Sequence, residues 1–102
     1  MLTLKQKKEL LSLARNAISA RFKHQTVTLP EDPAFSFHRG VFVSLHINGN
    51  LRGCIGYIKG YKSIAESVKE MAEAAAFQDP RFPPLTEKEL EKVTIEISIL
   101  GE

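Results

Sequence analysis

Asn48-Gly49, set between two apolar runs, constrains the fold of this chain more than any other feature. Both residues tolerate positive φ, which is what a tight hairpin turn demands, so the runs on either side are tied together as antiparallel neighbours. Before the turn, over 41–47, Val41, Val43, Leu45 and Ile47 fall on one face and Phe42, Ser44 and His46 on the other. That period of two marks a half-buried strand. After it, over about 51–58, Leu51, Gly53, Ile55 and Tyr57 share one face, while Arg52, Cys54, Gly56 and Ile58 share the opposite one. Loop length sets the register. A two-residue Asn48-Gly49 loop pairs Ile47 with Asn50 and His46 with Leu51, whereas a three-residue loop pairs Ile47 with Leu51 and His46 with Arg52.

The return strand holds the single cysteine, in Leu51-Arg52-Gly53-Cys54-Ile55-Gly56. Glycine weakens a strand because it packs nothing and loses the most backbone entropy, so Gly53 and Gly56 mark a bulge, a close helix crossing or a place where a ligand meets the backbone.

The remaining segments supply helices and one more strand. Thr3 with Gln6 is a capping box, followed by Leu10, Leu11, Ala14, Ala17, Ile18 and Phe22 at helical spacing, which predicts an amphipathic helix over about 4–22. Residues 24–39 read as an irregular connection broken by Pro30 and Pro33, with Phe35 and Phe37 tucking alternate side chains inward. Ser63 with Glu66 opens a helix over about 64–77, where Ile64, Ala65, Val68, Met71, Ala72, Ala75 and Ala76 form a small-residue stripe that lets the axis lie close to a sheet. On its wet face Glu66 pairs with Lys69. Pro80, Pro83 and Pro84 enforce a rigid extended path, and Thr86 with Glu89 starts a short helix over about 87–92. Val93, Ile95, Ile97 and Ile99 then alternate with polar residues as a third strand, 93–99. The order predicts an α+β fold with a mainly antiparallel sheet built on the central hairpin.

Composition limits the function classes. The 102 residues are 43% apolar and 25% charged, ordinary for one globular domain with a modest core. One cysteine cannot form an internal disulfide, no apolar run reaches the roughly 18 residues of a membrane span, and the N-terminus lacks a signal-peptide apolar region, so a cytoplasmic location is expected. Residues 1–24 carry six Lys/Arg against one Glu, and residues 61–102 five against nine Asp/Glu. The basic first helix is either a solvated face or a patch for an anionic partner, and the absence of interleaved aromatics argues against nucleic acid. His24 and His38 lack a second ligand at metal-binding spacing, so no metal site is expected.

Two constellations carry chemistry. Cys54 is the candidate catalytic residue, because a thiolate is a strong nucleophile when a cation or base stands near it. Arg52 supplies a cation on the same strand face, and His46 joins the same surface in the three-residue register. The competing reading of Cys54 is a buried small hydrophobe. Asp79-Pro80-Arg81-Phe82 is the second: a rigid acid–guanidinium pair that either staples its loop to Arg52 or, together with Arg52, holds an anion such as a phosphate or carboxylate.

The runs Gly40–Leu45, Gly49–Gly56, Ala74–Phe82 and Ile95–Leu100, with the Leu-Arg-Gly-Cys-Ile-Gly hexapeptide and Asp-Pro-Arg-Phe, resemble the AMMECR domain family. The resemblance runs from about residue 5 onward and covers the N-terminal portion of the family's domain, which implies a domain truncated before its C-terminal part. It implies an α+β fold, an activity not established, and association with a Memo-like protein and a radical S-adenosylmethionine enzyme. Carried over by motif, Arg52, Gly53, Gly56, Asp79 and Arg81 become ligand-binding candidates beside Cys54, with His46 outside the hallmark and no cofactor of the domain's own implied. The expectation is an accessory or ligand-binding component of that enzyme group. The alternatives are an enzyme with Cys54 as nucleophile, or a nucleic-acid-binding module.

Overall fold

The computed structural model describes residues 1–101 and has the expected α+β architecture. Helix α1 (Leu4–Lys23) leads through a 3-10 turn (Pro33–Ser36) to β1 (Val41–Ile47) and β2 (Asn50–Tyr57). Helices α2 (Ile64–Phe77) and α3 (Glu87–Leu90) then precede β3 (Val93–Ile99). The strands form one antiparallel sheet in the order β2-β1-β3. Capping boxes at Thr3–Gln6, Ser63–Glu66 and Thr86–Glu89 start the three helices, each satisfying two orphan N–H groups. Helix α3 ends at Leu90, earlier than periodicity suggested, and Glu91 and Lys92 form a turn into β3 in which the Lys92 N–H donates to the Glu89 carbonyl at 2.9 Å.

The core lies between one face of the sheet and α1 and α2. Val41, Val43 and Leu45 are fully buried there, with Leu10, Ala14 and Ile18 of α1 and Val68, Ala72 and Ala75 of α2. Phe35 is buried in this core, but Phe37 is exposed, so the connecting loop tucks in one aromatic rather than two. Lys69 pairs with Glu73, four residues on, instead of Glu66, which serves the N-cap.

The hairpin uses both registers considered for it. Asn48 and Gly49 both take positive φ (51° and 78°), and Ile47 pairs with Asn50 and His46 with Leu51. A bulge follows: Leu45 pairs with Gly53 and Ser44 with Cys54, leaving Arg52 as the extra residue. One added residue breaks the two-residue alternation. Leu51 therefore joins the His46 face, and Arg52 does not share the face of Cys54 by simple parity. β2 ends at Tyr57, with Ile58 exposed beyond it.

Candidate functional site around Cys54

Cys54 sits mid-strand on the face of the sheet away from the helices, opposite Ser44, whose Oγ donates to the thiol Sγ at 3.1 Å. The thiol is half-buried. β2 is an edge strand, and the Cys54 N–H and C=O both point off that edge. Asp79 Oδ2 accepts the Cys54 N–H at 3.0 Å, and Arg81 Nη2 donates to the Cys54 carbonyl at 3.4 Å.

The local chain dictates this clamp. Rather than running extended, Asp79–Phe82 forms a turn closed by the Phe82 N–H on the Asp79 carbonyl at 3.1 Å. Pro80, with φ fixed by its ring, suits the second position of such a turn. The turn folds Arg81 back on its neighbour: Asp79 Oδ1 accepts from the Arg81 N–H and Nε, both at 3.0 Å, and Oδ2 from Nη2 at 2.7 Å. The Arg81 side chain holds the buried Asp79 carboxyl well below the usual range against the desolvation of burial, with the Cys54 and Arg81 N–H groups adding to it.

Arg52 does not pair with Asp79. The bulge aims it at α3, where Nε and Nη2 take Glu89 Oε2 and Oε1 at 2.9 and 3.0 Å, and Nη2 also reaches the Pro84 carbonyl at 3.3 Å. The Arg52 side chain is only 12% exposed, so this bidentate pair is a part of the packing. It pulls the Glu89 carboxyl down to about 2, helped by the Thr86 N–H. Arg52 and Arg81 both lie over the Phe82 ring, at 5.9 and 5.5 Å.

Packing accounts for both glycines. A Cβ on Gly53 would overlap the backbone carbonyl of Ala75, so its absence lets α2 cross close to β2. Gly56 lies beneath the Phe42 ring on the opposite face. His46 is turned toward β3, its Nδ1 4.0 Å from Glu96 Oε1, and is not assembled with Cys54. Among the described residues no three His, Cys, Asp or Glu side chains converge as a metal site requires. Of the other histidines, His24 caps the C-terminus of α1 and His38 bridges to Ser63.

Ser44 and Glu89 were not singled out from the sequence as members of this cluster. Glu89 was legible as a capping residue, but its service to Arg52 spans 37 positions and has no local signal.

The AMMECR1 family profile matches residues 11–102. The chain belongs to the AMMECR1 family. It is 43% identical over 94 residues to a protein of Methanothermobacter thermautotrophicus, covering 89% of this chain and 49% of the relative. A Sulfolobus acidocaldarius protein is 40% identical over 91% of the chain and 44% of the relative. The crystal structure of an uncharacterised protein from Pyrococcus horikoshii superposes with a TM-score of 0.84 at 32% identity, covering 91% of this chain and 50% of that one. The AMMECR1-family chain described here thus spans about half the length of the curated relatives it matches. No helix among its described residues is long and apolar enough to cross a membrane.

Proposed function

We propose that this AMMECR1-family chain is a binding component that presents Cys54 and Arg81 to a small anionic ligand, in the company of the Memo-like protein and radical S-adenosylmethionine enzyme that its hallmark hexapeptide implies. The observation that supports this reading is how the charged groups around the thiol are engaged. A catalytic cysteine needs a base to take its proton. Here Asp79 is committed to Arg81 and the Cys54 N–H, Arg52 to Glu89, and His46 is directed to Glu96. Arg81 differs from Arg52 in being open to solvent: its side chain is 56% exposed, and its contacts within the chain use Nε and Nη2. Nη1 is the edge that a phosphate or carboxylate reaches, with the Asp79 pair fixing the guanidinium plane beforehand.

Thiol alkylation and anion titration test the reading. Cys54 should react with iodoacetamide at neutral pH no faster than a free cysteine, whose pKa is about 8.5. Inorganic phosphate should perturb the Cys54 and Phe82 backbone amide resonances in the native chain and not in Arg81→Gln. Alkylation about tenfold faster than a free thiol would overturn it, since that rate requires a stabilised thiolate. The Ser44 hydroxyl, 3.1 Å from Sγ, is the contact that favours the nucleophile alternative. In that case Ser44→Ala slows the fast alkylation.

A further inference from the structure

Two loops meet at the end of the sheet where β1 begins and β2 finishes, over 37–40 and 58–63. They are locked together. His38 and Ser63 form a bridge, and the Phe37 carbonyl accepts the Ile64 N–H at 2.9 Å. A Cβ on Gly60 would overlap the His38 carbonyl, and one on Gly40 the Ile58 carbonyl, so the loops pack backbone to backbone. Around this seam three large side chains stand in the open: Phe37 is 61% exposed, Ile58 78% and Tyr61 64%. Both rings are oriented by neighbours. Tyr61 lies edge-to-face with Tyr57 at 5.7 Å, and the Arg39 guanidinium sits 6.0 Å from the Phe37 centroid.

This end of the sheet is also basic. Its acids are engaged: Glu66 completes the capping box with Ser63, and Glu70 accepts from the Tyr57 hydroxyl at 2.6 Å and from the Lys62 ammonium. Arg39 and Lys59 are exposed, and among the described residues neither meets a carboxylate. Aromatic rings and free cations therefore alternate over Phe37-His38-Arg39 and Ile58-Lys59-Gly60-Tyr61. The basic first helix lacks that interleaving. The fold assembles it here from two segments some 20 positions apart.

We propose that this end of the sheet is a platform for single-stranded nucleic acid, with bases stacked on Phe37 and Tyr61 and phosphates held by Arg39 and Lys59. Charge complementarity selects an anionic partner, and rings held in fixed planes select one that carries flat faces beside its charges. An acidic peptide brings the charge without the faces. A duplex keeps its bases stacked inside, out of reach of the rings. An anionic membrane is gripped by inserted apolar side chains, and Ile58 is the single exposed aliphatic on the two loops. The proposal does not depend on the reading of Cys54 and Arg81.

Fluorescence anisotropy of a labelled oligouridylate tests it on this chain. Affinity should fall with salt at a log–log slope of about −1.4, which is about −0.7 for each of two cations, and Lys59→Gln should halve that slope. Phe37→Ala and Tyr61→Ala should each weaken binding about tenfold, the loss of one stacked base. Both side chains are exposed, so the variants keep the fold. A duplex of the same length should bind at least about tenfold more weakly. Replacing Lys7 and Lys8 of α1 by Gln should change the affinity by no more than about twofold. Absence of binding at about 0.1 mM protein in low salt would overturn the proposal. So would unchanged affinity in both ring variants, equal competition by polyglutamate, or a loss from the α1 replacements as large as that from Lys59→Gln. Co-sedimentation with phosphatidylserine vesicles that Ile58→Ser abolishes, with no oligonucleotide bound, would overturn it in favour of a membrane.

Discussion

The two edges of this three-stranded sheet are finished in opposite ways. Along β2, one clamp takes both main-chain groups of Cys54, a bulge turns Arg52 outward to Glu89, and the Phe82 ring packs under both guanidinium groups. Along β3, beyond the Arg15 contacts, the side chains of Ile95, Ile97 and Ile99 are only partly covered. The difference teaches that the Asp-Pro-Arg-Phe run is first an edge-capping device: a buried carboxylate and a guanidinium stand in for a neighbouring strand. Whatever recognition occurs at Cys54 is built on that closed edge.

The contrast makes unequal predictions for the two sides. The largest effect belongs to Gly53→Ala, since a methyl there drives α2 away from β2; urea denaturation should show a loss of about 3 kcal/mol. Asp79→Ala comes next, at about 2 kcal/mol, because it leaves the Cys54 N–H unsatisfied and removes a buried paired carboxylate; Asp79→Asn, keeping an acceptor, should lose less. Equal costs for the two variants would break the capping interpretation. Glu89→Gln should cost about 1 kcal/mol, as Glu89 is partly solvated. On the β3 side, Leu11→Ser should change the stability of this chain by no more than about 0.5 kcal/mol, because its side chain is already wet. A loss as large as that of Asp79→Ala would show that the β3 flank is closed.

Acid sharpens the same comparison. The Asp79 and Glu89 carboxyls are depressed in the folded chain, Glu89 to about 2, so between their folded and unfolded pKa values the unfolded chain binds more protons. Their contribution is complete above the unfolded value and is lost as pH falls through the folded one. Stability should therefore decline below about pH 5, and a double variant Asp79→Asn, Glu89→Gln should decline less steeply over the same range when followed by urea midpoints.

The element types were legible because each rests on local chemistry. Three capping boxes, the Asn48-Gly49 turn and the alternation of 41–47 and 93–99 are readable within a few residues, and the AMMECR family resemblance was carried by contiguous motifs. Arg52, Cys54, Asp79 and Arg81 were also selected as a group from sequence, and they do cluster; their pairing was not. Sequence parity put Arg52 beside Cys54 and offered Asp79 as its staple, yet one extra residue in β2 turns Arg52 to Glu89 and leaves Asp79 to Arg81.

By itself, then, the sequence determined the helices, the hairpin and the identity of the residues gathered at the β2 edge, since periodicity, caps and turn residues act over short spans of chain. Tertiary structure alone decided which acid meets which guanidinium, why Gly53 and Gly56 lack side chains, and which edge stays open. Most of these depend on contacts between segments some 14 to 40 positions apart, such as Gly56 with Phe42, Cys54 with Asp79 and Arg52 with Glu89, whose geometry is set only when the strands pair and α2 and α3 come down beside the sheet.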